Sequence, residues 1–308
     1  MGRGAESAGP AGSGYQGAVR GGARVIEVVA PGPLSTVQDL GRAGYAALGV
    51  PRSGAADERS FRLANRLVGN QETAAGIEAT FGGLRLRFHA PTTVALTGAP
   101  VPVTVDNRQV GMNAPLRIRA GSRLVMGSPA EGVRTYLAVR GGIAVPPVLG
   151  SRSTDVLSGL GPAVLSIGQT IPIGQETAHW PNVDLAPTPP IPAEVTLRVS
   201  CGPREEWFTP EALTTLVSQP YQVTTNSNRI GLRLAGPVLD RALIDELPSE
   251  GMVGGALQVP PNGQPVLFLV DHPVTGGYPV IGVVLHDDLH LAAQLRPAQQ
   301  VRFRYVST

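Results

Sequence analysis

Residues 249–284 read SEGMVGGALQVPPNGQPVLFLVDHPVTGGYPVIGVV, with glycine pairs at Gly254-Gly255 and Gly276-Gly277 set between apolar runs. The runs 266–270 and 280–285 are rich in β-branched and apolar residues and have the length of buried strands. Glycine reaches positive φ and leaves its amide uncovered, so each pair marks a turn where another group can approach the backbone. Asp271, His272, Thr275 and Tyr278 place an acid, an imidazole, a hydroxyl and a phenol within eight residues of chain. Strand, glycine turn and strand in this rhythm predict an all-β architecture whose loops carry the ligand chemistry.

The rhythm extends outward. Between residues 84 and 173 short apolar runs at 94–97, 101–105, 116–118, 124–126 and 136–139 alternate with Gly, Pro, Asp and Asn turns, the pattern of a barrel or sandwich. The 39 glycines and 29 prolines of the 308-residue chain are scattered between such runs, so they punctuate turns and do not form a low-complexity tract. Residues 53–70 read as the clearest helix, with Ser53 as cap, Asp57 and Glu58 in the first turn, and Phe61, Ala64, Leu67 and Val68 at helical spacing. A Pro-rich stretch at 178–193 separates a domain at 24–177 from one at 194–308. The second domain opens with a strand at 195–199 and a short helix from Pro210, and closes with a helix after Asp287-Asp288 and a strand at 300–306. Val50-Pro51-Arg52-Ser53-Gly54 and Val259-Pro260-Pro261-Asn262-Gly263 share V-P-x-x-G and suggest one plan for both halves. Residues 1–23, rich in Gly, Ala and Ser without a signal-peptide core, read as a disordered leader.

All 25 basic residues are arginine, so no lysine amine is available for chemistry. The net charge of +2 is small and no basic run is interleaved with aromatics, which argues against a nucleic-acid partner. A single cysteine, Cys201, cannot form an internal disulfide; it points to a reducing, cytoplasmic setting and reads as a buried structural residue. No run approaches the roughly 20 apolar residues of a membrane span. His286 and His290 are spaced for one helix face but lack the glutamate of H-E-x-x-H, so no metal site is expected.

Three constellations are candidates for chemistry. Gln38, Asp39, Arg42, Arg52, Ser53 and Asp57 surround two glycine turns, and Arg52 and Ser53 stand before the helix, whose N-terminus favours an anion; helix capping and solvated arginines are the plain alternative. Arg229, in the polar loop 225–231, can hold a carboxylate or phosphate by a two-point contact. Glu250 and Asp271 are two carboxylates in the opening segment, with their separation in space undetermined by sequence.

The motifs TVQDLGRAGYAALGVPRSGAAD, ANRLVGN, LAVRGGI with LGSRSTD, SNRIGLRL, and SEGMVGGALQVPPNGQPV leading to TGGYPVIG run in order from about Val25 to Val306. Together they resemble the carboxyltransferase A/B-type proteins, also known as allophanate hydrolase subunit 2 and as the C-type component of bacterial 5-oxoprolinase. The resemblance implies two cyclophilin-like β-barrel domains in tandem, all-β with a few short helices. It also implies a role in a complex with a B-type partner and an A-type subunit, opening 5-oxo-L-proline to L-glutamate with ATP. Related domains in urea carboxylase take a carboxyl group from carboxybiotin, which makes a biotin-dependent transferase the alternative; a regulatory partner of a kinase inhibitor is a third. On the first reading Asp271, Glu250, Thr275 and Tyr278 are the catalytic candidates. Arg229, Gly276, Gly277, Gln258, Arg52, Ser53, Gln38 and Asp39 are the substrate-binding ones. Where many relatives have D-R-Q-T-T-G-G-Y-P-K, this chain carries His272, Pro273, Val274 and Val280, so the lysine of that pattern is missing.

Overall fold

In the first strand, Val25–Pro31, Ile26 and Val28 point inward and Glu27 stays half exposed, the period-two alternation of a strand with one wet face. The computed structural model describes residues 24–180, 183–187 and 190–306; the expected leader at 1–23 lies outside them. The first strand belongs to a six-stranded antiparallel sheet in the order Thr170–Pro172, Val25–Pro31, Leu84–Phe88, Arg123–Met126, Val103–Val105, Arg108–Val110. A second sheet of five strands runs Leu34–Gln38, Gly76–Thr80, Arg134–Val139, Thr92–Gly98, Leu116–Ile118. Ile26, Leu86, Phe88 and Leu124 of the first sheet meet Ile77, Val94, Leu96 and Leu137 of the second in one core.

Arg134–Val139 is buried at every position because both its faces are covered. Its second face packs against helix α1, Glu58–Leu67, through Tyr136 and Ala138 against Phe61, Ala64 and Leu67; the Phe61 and Tyr136 rings meet edge to face at 5.9 Å. The helix starts later than its sequence suggests. Asp57 is the cap, accepting from the Ser60 amide, while Ser53 adopts φ 55° and turns its hydroxyl away from the helix.

The C-terminal half is a closed seven-stranded barrel in the order Val195–Cys201, Val280–Val284, Ala256–Gln258, Val266–Phe268, Gly231–Ala235, Tyr221–Val223, Gln300–Tyr305. Parallel pairing of Val195 with Val301 through Val199 with Tyr305 closes it, removing the exposed edges an open sheet would carry. Leu197, Leu232, Leu257, Leu267, Ile281 and Phe303 fill its interior. Helix α2, Pro210–Ser218, begins with proline and a Thr209 cap, as its sequence predicts, and inserts Ala212 and Leu216 into the same core. Helix α3, Leu289–Ala292, is a single turn after a 3-10 segment at His286–Asp288.

The all-β class with a few short helices therefore holds, the closed barrel being the second half and two sheets on one core the first. The two V-P-x-x-G segments do not occupy equivalent places: 50–54 leads toward α1, whereas 259–263 joins two antiparallel strands of the barrel. Cys201 is exposed at a strand end and not buried; a hydrogen bond to Glu205 holds its thiol above the usual range, which disfavours the nucleophilic thiolate. Among the described residues no helix is long and apolar enough to cross a membrane. Replacing Leu197, fully buried in the barrel, by Ala should cost about 2–5 kcal/mol, read as a lower urea midpoint with an unchanged slope.

Candidate functional site: the seam and cleft between the two halves

Arg229 enters the strand Gly231–Ala235 from a loop folded by Asn228, whose Oδ1 accepts the amide of Ile230 at 2.8 Å. This local turn sends the guanidinium inward, to 1% exposure, and across the boundary between the halves. Its Nε donates to Asp271 Oδ2 at 2.9 Å and its Nη2 to Asp271 Oδ1 at 3.0 Å. The same Nη2 donates to the Gly54 carbonyl at 2.6 Å, and Nη1 donates to Glu78 Oε1. Ser53 Oγ donates to Asp271 Oδ1 at 2.7 Å and the Val156 amide to Oδ2 at 3.2 Å. Glu78 Oε2 accepts from Tyr136 Oη at 2.8 Å and from the Ala56 amide at 3.0 Å. One buried cation from the barrel thus joins carboxylates from both halves.

The electrostatics follow. Burial favours the neutral acid at Glu78, but the Arg229 and Arg134 charges and the Ala56 amide outweigh it and hold the carboxyl below its ordinary range. Burial opposes the charge of Arg229 too; Glu78 and Asp271 reverse that and bind its proton more tightly than usual. Burial, then the Glu78 charge, pushes the Tyr136 phenol well up, so it stays a donor. Every nitrogen of Arg229 is committed and Asp271 is fully buried. The structure therefore places both in a tie between the halves, and Ser53, bonded to Asp271, is also part of the lining of the neighbouring cleft.

A second seam lies nearby. Gln294 Oε1 accepts the Val133 and Arg134 amides, each at 2.9 Å, while its Nε2 donates to Asp57 Oδ2 and the Arg134 carbonyl, each at 2.9 Å. Arg134 Nη1 returns a bond to the Ala293 carbonyl. Gln38 and Asp39 are likewise buried. Asp39 accepts from Ser151 Oγ and Ser153 Oγ at 2.6 Å and from the Arg152 amide at 2.6 Å, and Gln38 Nε2 donates to the Thr154 carbonyl at 2.9 Å. Together they strap the loop 148–155 onto the second sheet.

Beside the seams opens a cleft of about 1080 Å³. One wall is the exposed face of α1 and its approach: Arg52, Arg59, Arg62 and Arg66. The facing wall comes from the barrel, with His272, His286 and His290 over Leu269, Leu289 and Leu291. Arg52 and Ser53 both line this cleft, but the helix N-terminus does not make the anion site, because the Asp57 carboxylate already occupies it. Among the described residues no group of three or more His, Cys, Asp or Glu side chains is placed to hold a metal ion.

The turn that opened the sequence lies on the barrel. Thr275–Gly276 pairs with Glu250–Gly251 in a two-stranded ladder. Buried Gln258 pins the turn, donating from Nε2 to the Tyr278 carbonyl at 3.1 Å. A side chain at Gly276 would put its Cβ 2.5 Å from that nitrogen, so the Gln258 amide would have to move to admit one. Thr275, Gly277 and Tyr278 are exposed, and Glu250 is held by Arg204 through Oε1 at 2.9 Å. Glu250, Thr275, Gly276, Gly277, Tyr278 and Gln258 are thus brought together, apart from Gln38, Asp39 and Arg229. Glu78, Gln294 and the arginine stripe were not foreseen. An acid inside the strand GIEAT and arginines at 59, 62 and 66 on a helix were the signals available.

Two β halves are thus joined by a buried ion network, with an arginine-lined cleft beside it and a glycine turn on the barrel. The chain belongs to the family described as carboxyltransferase domain, subdomain A and B, whose model matches residues 48–305. It is 36% identical to the C-type component of 5-oxoprolinase from Escherichia coli (strain K12), over 91% of this chain and 90% of that one. It is also 36% identical to urea amidolyase of Lachancea kluyveri, over 92% of this chain but 17% of that protein. The crystal structure of the K. lactis urea amidolyase superposes with TM-score 0.87 at 33% identity, covering 92% of this chain and 19% of the other.

Glu78→Gln should lower stability at neutral pH by about 3–5 kcal/mol, because the guanidinium loses a buried partner. Glu78 is held below its unfolded value near 4.5, so its contribution is complete above that pH and is lost as pH falls through the lower, folded value. Acid titration followed by circular dichroism should accordingly show a shallower acid limb in the variant than in the wild type.

Proposed function

We propose that this chain is the C-type component of an ATP-dependent 5-oxoprolinase, opening 5-oxo-L-proline to L-glutamate with a B-type partner and an A-type subunit. The observation that carries this reading is the near end-to-end match to the Escherichia coli 5-oxoprolinase component, 91% of one chain against 90% of the other. A second relative of the same name, from Haemophilus influenzae, is 31% identical over 92% of each chain. The urea amidolyase likeness supports a biotin-dependent carboxyltransferase as the alternative, on a small fraction of a much longer protein.

The chemistry sets what the protein has to supply. A lactam carbonyl is stabilised by resonance with its nitrogen, so ring opening needs its oxygen activated before water attacks the carbon. ATP supplies that activation by phosphorylating the carbonyl oxygen. Water then adds to the carbon, the carbon–nitrogen bond breaks and the nitrogen takes a proton, leaving a glutamyl phosphate; a second water cleaves that acyl phosphate, so ADP, phosphate and glutamate result.

In this scheme the exposed hydroxyl of Thr275 and the amides of Gly276 and Gly277 face the developing negative oxygen. Glu250 moves a proton through Oε2, the oxygen Arg204 leaves free, and Tyr278 shields the turn. Asp271 acts at a distance by fixing the start of the turn. Hydrolytic activity therefore belongs to the assembled complex.

The test is reconstitution. With all components present, ATP-dependent glutamate formation should require this chain, and Thr275→Ala should reduce turnover by about 10- to 100-fold while copurification with the B-type partner persists. Undiminished glutamate formation when the chain is omitted would sink the proposal. Carboxyl transfer from carboxybiotin by this chain would establish the alternative.

A further inference from the structure

The cleft between the halves has a composition that the ring-opening turn does not explain. Its lining includes five arginines, Arg52, Arg59, Arg62, Arg66 and Arg198, against three carboxylates, Glu58, Asp287 and Asp288, an excess of two positive charges before any histidine is counted. Arg59, Arg62 and Arg66 project from α1 at intervals of three and four residues, so they form one row along its exposed face. Arg62 is held by Glu58 at 3.0 Å and Glu72 at 3.1 Å, and Arg66 by Glu72 at 2.7 Å. Each guanidinium keeps further donors free. Arg59 is exposed and has no hydrogen-bond or ion-pair partner among the described residues. Across the cleft, His272 spends Nδ1 on the Pro273 carbonyl at 2.8 Å, and no group among the described residues takes its Nε2.

Two further features suit a ligand. The walls come from different halves, yet the Arg229 and Gln294 seams fix their separation, so little ordering cost remains at binding. The cleft also has apolar lining, Leu269, Leu289 and Leu291 with Pro190 and Pro192, while the row of arginines comes from α1. A volume of about 1080 Å³ is at the upper end for small-molecule sites.

We propose that this cleft binds a phosphate-bearing ligand, its phosphate groups along Arg59, Arg62 and Arg66 and its less polar part against Leu269, Leu289 and Leu291. Arginine forks match phosphate oxygens, and a row spaced along a helix suits several phosphates better than a lone carboxylate. The shared chemistry has two sources, the polyphosphate of a nucleotide or a phosphorylated small acid. The choice between them rests on the 5-oxoprolinase reading, in which ATP is consumed; the site itself does not.

The test is direct binding to the purified full chain by isothermal titration, with MgATP, sodium tripolyphosphate and orthophosphate as probes at low and high salt. Tripolyphosphate should bind, more weakly as salt rises. The double substitution Arg59→Gln and Arg66→Gln should weaken it about tenfold or more with at most a small drop in melting temperature, since the Arg66–Glu72 pair it removes is solvent-exposed. MgATP binding tighter than tripolyphosphate supports the site with a nucleotide as its source. Orthophosphate and tripolyphosphate binding with MgATP excluded supports it with a phosphorylated acid.

Binding of none of the three, or affinities unchanged in the double variant, overturns the proposal. The functional reading fails separately. Phosphate binding without ATP-dependent ring opening by the complex removes the 5-oxoprolinase assignment and leaves the site. Normal ring opening by a complex carrying a chain that binds no phosphate removes the site and leaves the assignment.

Discussion

The guanidinium of Arg229 sits between Asp271 of its own half and Glu78 of the other, with the Gly54 carbonyl as a third acceptor. Removing three charges from water is costly, and a buried ion cluster often adds little net stability over apolar packing. What it enforces is geometry. Without Arg229, buried Asp271 would lose its cation and Glu78 would keep only Arg134, at 3.5 Å; without Glu78 and Asp271, a cation would be stranded. The network is complete only in one mutual placement of the halves, and the Ser53 hydroxyl, Tyr136 phenol and Ala56 and Val156 amides tighten that condition. A hydrophobic seam of similar size would tolerate sliding; this one does not.

The placement of both candidate regions follows from that condition. Asp271 is the first residue of the segment that runs through His272 to the turn at Thr275–Gly276, so the ion network fixes where that segment starts. Gln258 fixes its far side through the Tyr278 carbonyl, and pairing with Glu250–Gly251 fixes its plane. The exposed turn is therefore held on three sides. The same network sets the separation of the arginine row on α1 from the histidines of the barrel. Candidate turn and charged cleft are linked through one buried residue.

How much of this was legible in the sequence depends on the range of the interaction. Strands came through because alternation and turn residues act within a few positions: 116–118 is observed as Leu116–Ile118, and 136–139 lies within Arg134–Val139. Helix α2 was legible from Thr209 and Pro210, whose capping roles are local. The start of α1 was not, because Ser53 and Asp57 are both good caps, and the choice between them is made by Asp271, 218 residues away, which takes the Ser53 hydroxyl. Glu78 lay unseen for the same reason, since its partner Arg229 is 151 residues distant. Local pattern also made Arg229 and Asp271 look like ligand-binding groups, because a polar side chain in a loop reads alike whether it faces solvent or another half of the molecule.

The departures in the glycine turn acquire a physical meaning in this frame. Val280, at the position where the related pattern carries lysine, is buried with Met252, Ala256 and Phe268 in a small apolar cluster. An ammonium in that cluster would need a carboxylate or several acceptors, and none of those three side chains provides one. Val280 instead supports the strand Val280–Val284 by packing in this cluster. Where the pattern has arginine, His272 instead lines the cleft opposite Arg59, Arg62 and Arg66. The positive charge recorded at the turn itself comes from the barrel, Arg204 on Glu250 and Arg241 over the Tyr278 ring, whereas the α1 arginines line the cleft. Chemistry that needs a fixed amine on the turn itself, as orientation of a carboxylated cofactor would, finds none here. The Arg229 network holds both the start of the exposed turn segment, at Asp271, and the join beside which the arginine-lined cleft opens.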